Sequence, residues 1–307
     1  MPVVQRYWRP SAIVTIGAQI ARDINLPPPA PRGPRIAFSV RRTMTSEPDS
    51  AQISVFNLAP LRETGMSQLF HEPNAFSTPV TLAAGYGAFT STLFRGECRT
   101  MLPHVRQGPD YALVVTADDG GDALSDLTAS YSTAGWTARN MIDVALLAFN
   151  TGDVTRGIAP YPLLEHPSVA AAIAAGPVTQ ARFYTGVHTS KVRDLLDEAC
   201  RILRCRWWVA DGLLYMAARK LPVDTATLAV VLPRKIWLDE AQLDGEGVIR
   251  LTTLFDPKLV PGRVAMLEGR VVPGLQEPCR VEAVEVAGDT RAPSPWRSEL
   301  TLRRISP

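Results

Sequence analysis

Three aspartates that follow a strand-like segment come nearest to a catalytic or cation-binding pattern. Asp118 and Asp119 are adjacent, and Asp122 follows after two glycines. Carboxylates on either side of a glycosidic bond would support its hydrolysis, and oxygen ligands in a glycine-containing turn would suit Ca²⁺. However, adjacent residues at a strand end point to opposite faces, and the spacing of an EF-hand loop is missing. A solvated turn is therefore the preferred interpretation.

Two neighbouring tryptophans offer a second kind of chemistry. Trp207 and Trp208 lie close to Arg204 and Arg206. Aromatic rings beside cations suit stacking on bases or sugars. Because successive residues of a strand face opposite sides, the pattern also predicts one tryptophan in a core and the other in a contact between domains or subunits.

The cysteines and histidines do not form a metal-binding or nucleophile pattern. The cysteines lack a spacing typical of zinc sites, the histidines do not form an HExxH or HxxxH pair, and no Gly-x-Ser-x-Gly turn is present. We predict buried free thiols, no metal, no cofactor, no catalytic residue and no enzymatic activity. The residues concerned are Cys98, Cys200, Cys205, Cys279, His71, His104, His166 and His188.

Composition indicates a globular protein of more than one domain. The chain has 307 residues, of which 46% are hydrophobic, so it can bury a sizeable core. A net charge of +2, from 32 basic and 30 acidic residues, disfavours a dedicated nucleic-acid binder. No apolar run approaches the roughly 18 residues of a membrane span, and the start lacks the apolar segment of a secretion signal. We therefore expect synthesis in the cytoplasm.

Strand-like segments dominate both ends of the chain. They alternate apolar and polar residues and are punctuated by glycine and proline, which is typical of antiparallel barrels or sandwiches. The middle differs: apolar spacing predicts helices over 137–150 and 192–203, and Asp211-Gly212 predicts a hairpin turn.

The expected fold is mainly β with an α+β middle, in which two β-barrel-like domains flank a helical or mixed region. The predicted boundaries are an N-terminal barrel-like domain at 1–118, a helical or irregular connecting region at 119–185, a small α+β segment at 186–230 and a C-terminal barrel-like domain at 231–307.

Three stretches of sequence together carry a family resemblance. The first contains Ile53-Ser54-Val55-Phe56-Asn57-Leu58. The second contains Ala84-Gly85-Tyr86-Gly87, Leu93-Phe94-Arg95-Gly96, Gly108-Pro109-Asp110 and Ala117-Asp118-Asp119-Gly120. The third contains Asp256-Pro257-Lys258-Leu259-Val260-Pro261-Gly262, Gly288-Asp289-Thr290 and Trp296. In order and spacing they resemble the baseplate hub proteins of contractile-tailed phages, the late control protein D group.

The resemblance covers both ends of the chain and departs from the family pattern at Val286 and Cys279, where a histidine and an aromatic residue are common. It implies a homotrimer whose two barrel-like domains per chain form a pseudo-sixfold ring between a sixfold tail tube and a threefold spike. The implied partners are the chain itself, the tube or tube-initiator protein, the central spike, other baseplate proteins and, in the lumen, a tape-measure protein or DNA. The implied location is the tail baseplate of the virion.

Two hypotheses about function follow. In the first, a structural hub, strand edges build the ring, and the pairs Arg41-Arg42 and Arg303-Arg304 are candidate interface or lumen groups. The alternative is a tail-associated cell-wall hydrolase or glycan-binding module. It would require the carboxylates at 118 and 119 to converge, or the tryptophans at 207 and 208 to lie exposed in a groove.

Overall fold

The computed structural model describes residues 10–24, 33–58, 78–120, 127–132, 137–152, 187–218, 229–244, 247–268, 278–291 and 296–305. This part of the chain is mainly β, with a small helical region in the middle. The predicted fold class is therefore confirmed. Most of the predicted connecting region at 119–185 lies outside the described residues.

The described elements follow the chain in three groups. The first contains β1 (Pro10–Ile16), β2 (Gln19–Asp23), β3 (Ile36–Thr43), β4 (Ser50–Phe56), β5 (Pro79–Tyr86), β6 (Phe89–Gln107) and β7 (Asp110–Asp118). The second contains β8 (Thr128–Ser132), α1 (Ala138–Gly152), β9 (Val187–Lys191), α2 (Val192–Leu203), β10 (Cys205–Ala210) and β11 (Leu213–Ala218). The third contains β12 (Val230–Leu232), a 3-10 helix (Arg234–Ile236), β13 (Gln242–Leu243), β14 (Val248–Leu254), β15 (Val264–Leu267), β16 (Cys279–Asp289) and β17 (Arg297–Arg304).

Strands from both ends of the chain form one thirteen-stranded sheet. Its main path runs β13-β14-β17-β16-β3-β4-β7-β6-β5-β1-β2, and β15 joins β12 to β16. The two ends meet where β16 pairs with β3, with Val286 opposite Val40. The described strands do not close into a barrel, because β3 pairs along one edge with β16 from the C-terminal part of the chain instead of with a strand of its own half.

Side chains from both halves fill one apolar core under this sheet. At its centre the Trp296 ring lies 5.0 Å from Phe38, 5.7 Å from Tyr86 and 5.8 Å from Phe255. A Cβ on Gly288 would come within 2.5 Å of Phe38 and 2.9 Å of Trp296, so this strand position requires glycine. Aromatic pairs of this kind each contribute about 0.5–1.5 kcal/mol beyond their area burial.

The middle of the chain has its own core, which the two helices and the β10–β11 hairpin share. Helix α2 buries one stripe and ends at Arg204, which adopts the left-handed conformation with φ of 54°. Asp211 and Gly212 both have positive φ, 55° and 75°, as a type I′ hairpin turn requires. The predicted helix at 192–203 and the predicted hairpin turn are thus confirmed.

Candidate assembly interface

The two adjacent aspartates at the end of β7 diverge in the structure. Asp118 accepts a hydrogen bond from Arg99 Nε at 3.1 Å. Asp119 is only 5% exposed, and its Oδ2 accepts from the Gly212 amide at 3.2 Å. The two carboxylates do not form a pair around a common substrate position, and the interpretation as a solvated turn is wrong for Asp119. Asp122 lies outside the described residues.

The two tryptophans of β10 are buried on opposite sides of the hairpin, as the strand period predicts. Trp207 packs in the helical core, and its Nε1 donates to Asp197 Oδ1 at 2.7 Å. Trp208 packs against Met44 of the sheet side and stacks on Tyr215 at 5.3 Å. Neither ring is available as a stacking platform for a sugar. The glycan-binding alternative therefore loses the exposed aromatic residues on which it depended.

The cysteines are buried free thiols, as predicted. Burial raises the pKa of Cys98 to about 11, so this thiol stays protonated and unreactive at neutral pH. His104 is exposed beside Tyr111, with ring centroids 6.5 Å apart. His71, His166 and the side chain of His188 lie outside the described part of the chain. Within that part, no group of three or more histidine, cysteine or acidic residues is placed to hold a metal ion.

A buried charge cluster around Arg42 was not foreseen from the sequence. Its Nε lies 3.1 Å from Asp49 Oδ2, its Nη2 lies 2.7 Å from Asp211 Oδ2, and its Nη1 donates to the Leu93 carbonyl at 3.2 Å. The Thr43 amide donates to the other Asp49 oxygen at 2.9 Å. This cluster clamps the turn of the β10–β11 hairpin onto the sheet. The prediction that Arg42 is an interface or lumen group is therefore wrong.

Burial controls the ionisation of this cluster. It raises the pKa of Asp119 to about 7, and the nearby carboxylates of Asp49 and Asp211 add to the rise, while the hydrogen bond from the Gly212 amide opposes it. Burial also raises the pKa of Asp49 to about 6, although Arg42 and the Thr43 amide favour its charged form. The pKa of Arg42 is raised despite its burial, because Asp211 and Asp49 hold its charge. At neutral pH the cluster therefore holds an ionised Arg42–Asp49 pair beside a partly protonated Asp119.

A second cluster holds the base of the same hairpin. Glu282, in a bulge of β16, binds Arg280 at 2.6 Å, Arg206 at 3.1 Å and Arg303 at 3.1 Å. Burial opposes the charge on Glu282, but the arginines overcome it and lower its pKa. Arg303, predicted as an interface or lumen group, thus binds within the chain. Together the two clusters fix both ends of the hairpin on the sheet.

The exposed large apolar side chains lie mainly at the edges and hairpins of the sheet. On the β12 side, Val231 and Met266 are neighbours across β12 and β15 and are 56% and 40% exposed. At the β2 end of the main path, Ile20 is 41% exposed. Strand edges carry unpaired backbone groups that pair readily with another chain. Phe89, at the start of β6, is 82% exposed. These positions form the candidate assembly interface.

Neither described helix is long and apolar enough to span a membrane.

Comparison with solved structures finds the same fold in tail proteins. The tail protein from Neisseria meningitidis MC58 matches with a TM-score of 0.64 at 10% identity, covering 97% of both chains. The 43 kDa tail protein of prophage MuSo2 from Shewanella oneidensis matches at 0.57 and 9% identity, covering 96% of this chain and 98% of that one. No protein-family model and no curated protein matches the sequence.

A third match comes from a secretion machine. The E. coli c3393 protein, a type VI secretion component described as similar to the T4 tail proteins gp27 and gp5, matches at 0.57 and 12% identity. The match covers 95% of this chain and 77% of that protein. The chain therefore has the fold shared by phage tail proteins and a tail-like secretion component.

Proposed function

We propose that this chain is a structural hub subunit of a phage tail baseplate or a related injection machine. The observation that carries the proposal is the fold similarity to tail proteins along almost the whole chain. The order of the hub-like motifs from residue 53 to residue 296 supports it independently. In this role the protein is made in the host cytoplasm and resides in the tail of the virion.

The proposed assembly is a homotrimeric ring. Support comes from the open sheet, whose edges differ: β2 ends the main path on one side, β13 ends it on the other, and β12 ends a short branch that joins β16 through β15. Contacts between unlike edges are heterologous, and such contacts generate a closed ring when the rotation between copies closes. The two strand-rich ends of each chain, with the predicted boundaries at 118 and 231, would supply six quasi-equivalent units to a sixfold tube.

The proposed partners are the tail tube or tube-initiator protein on one face, the central spike on the other, and further baseplate proteins around the ring. The lumen of such a ring would contact a tape-measure protein or DNA, and its contacts with DNA would have no sequence preference. We propose no catalytic role, since the carboxylates and tryptophans considered for one are bound or buried within the chain.

The mass of the protein in solution tests the assembly. Size-exclusion chromatography with light scattering is expected to give a trimer of about 100 kDa, three times the 33.4 kDa chain. Val231→Asp places a charge at the β12 edge and is expected to weaken the trimer. Gln52→Asp, exposed in the middle of the sheet, is the control and leaves the mass unchanged. A chain that stays monomeric at high concentration and with spike protein added would refute the hub proposal.

A further inference from the structure

A groove lies between the tip of the β5–β6 hairpin and the loop that follows β14. Its volume is about 440 Å³, and it is lined by Tyr86, Phe89, Phe255, Lys258, Val260 and Arg263, among others. Aromatic rings of the core form the floor, and the exposed ring of Phe89 forms part of one wall. Lys258 is exposed and Arg263 half-buried, so the opposite wall carries two positive charges.

The loop that carries these charges has a defined shape. Asp256 Oδ1 accepts from the Lys258 amide at 3.0 Å, so the one acidic side chain among the lining residues binds its own turn. The Gly262 amide donates to the Val281 carbonyl at 2.8 Å, and the Arg263 carbonyl accepts from the Val281 amide at 2.8 Å. These bonds tie the loop to β16. The groove is therefore a formed surface, lined by aromatic rings, by Thr90 and Ser91, and by the basic side chains of Lys258 and Arg263.

A complementary surface lies elsewhere on the same chain. Residues 238–243, here called the acidic edge segment, run beside β14 at the open end of the sheet. Leu238 and Leu243 are 45% and 40% exposed, and Asp239 and Glu240 between them are exposed. Glu240 forms an ion pair with Arg234, whereas Asp239 is an exposed residue in a bend. The segment therefore presents apolar and acidic side chains together.

We propose that the groove of one copy receives the acidic edge segment of the next copy. This inference rests on the proposed trimer and names one contact within its interface. The leucines would cover Phe89 and the apolar floor, and Asp239 would face Lys258 and Arg263. Each copy offers one groove and one segment, and in the proposed ring the groove of each copy receives the segment of the next. A ring then satisfies every groove and every segment, and opposite charges set which surfaces meet.

Charge reversal on the full-length chain tests the pairing. Lys258→Glu and Asp239→Lys are each expected to raise the dissociation constant of the trimer roughly tenfold or more, because each sets like charges against each other. The double variant restores opposite charges and is expected to recover the trimer. Lys191→Glu, an exposed lysine at the start of α2, is the matched control and keeps the wild-type mass. Light scattering across a dilution series supplies the constants.

A second variant pair tests the apolar part of the contact. Phe89→Asp is expected to dissociate the trimer, whereas Leu102→Asp, on a hairpin away from the groove and 55% exposed, is expected not to. If the wild type is a trimer and the Lys258→Glu and Phe89→Asp variants are trimers of the same stability, the groove contact is overturned but the hub proposal stands. Failure of the double variant to recover the trimer would overturn the direct pairing of Lys258 with Asp239. A monomeric wild type would overturn the hub itself.

Discussion

Arg41 and Arg42 are neighbours in sequence but have different environments, because they lie on opposite faces of β3. Arg41 is 57% exposed and lies 3.4 Å from Glu285, which is also exposed. Arg42 is 6% exposed and bound to two aspartates and a carbonyl. The strand period continues from Val40 and predicts the inward position of Arg42. Its partners could not be predicted, since Asp211 comes from a hairpin 169 residues away.

Replacing the buried arginine is expected to destabilise the fold strongly. Arg42→Met leaves the Asp49 carboxylate buried without its cation, and breaking a buried pair in this way costs about 3–5 kcal/mol. Arg41→Met removes only an exposed pair and is expected to cost less than about 1 kcal/mol. Urea unfolding at pH 7 measures both free energies. Equal losses for the two variants would contradict the structural role given to Arg42.

Asp119 makes stability depend on pH in an unusual direction for an aspartate. Its folded pKa is raised from 3.8 to about 7, so between these values the folded chain holds a proton that the unfolded chain has released. The resulting stabilisation is fully present below the unfolded pKa and is lost as pH rises through about 7. The same sign applies to Asp49, over a window that ends at about pH 6.

Asp119→Asn mimics the protonated form and keeps an oxygen for the Gly212 amide. We expect the variant to be more stable than the wild type at pH 8, by roughly 1–3 kcal/mol at 1.36 kcal/mol per pKa unit. The advantage should shrink as pH falls toward 4. Thermal unfolding from pH 4 to 8 measures it, with Asp118→Asn as the neighbouring control. An Asp119→Asn advantage that does not vary with pH would show that ionisation of Asp119 is not its source.

At the scale of secondary-structure elements, the spacing of apolar residues and the turn residues predicted helix α2 and the β10–β11 hairpin well. The apolar stripe placed α2 at its observed bounds, and Asp211-Gly212 placed the hairpin turn. Strand β6, which runs for 19 residues, shows where alternation stops being informative. Two irregularities, at Cys98/Thr100 and Leu102/Val105, shift its register against β7. Each shift interrupts the alternation of faces, so the second half of the strand lacks the period that would identify it.

The end of α2 allows a prediction about backbone conformation. Arg204 has φ of 54°, a left-handed value that costs a residue with a Cβ more than it costs glycine. Arg204→Gly is expected to stabilise the protein by roughly 0.5–1 kcal/mol. The same change three residues earlier, Arg201→Gly, puts glycine inside the helix and is expected to lower the melting temperature. Melting curves that move in the same direction for both variants would contradict the capping assignment.

For the whole molecule, the sequence predicted the class of fold better than it predicted which strands pair with each other. Alternation identifies which face of a strand is buried, and this was enough to predict a β-rich chain with a helical middle. Alternation does not identify which strand lies alongside. The pairing of β3 with β16 was therefore missed, and each end was expected to form its own barrel-like unit. The two buried charge clusters were missed for the same reason, because their members meet only after distant strands and the hairpin have come together.

The β3–β16 pairing also has a consequence for the order of events during synthesis. Val40 cannot pair with Val286 until that residue has been synthesised, 246 residues later. At about 5–20 residues per second this interval is roughly 12–50 s. Until then one edge of β3 lacks its partner strand, and the central Trp296 has not yet been made. During this interval the edge of β3 carries unpaired backbone N–H and C=O groups that can pair with another chain. The sheet that joins the two ends of the chain can therefore form only after β16 has been made.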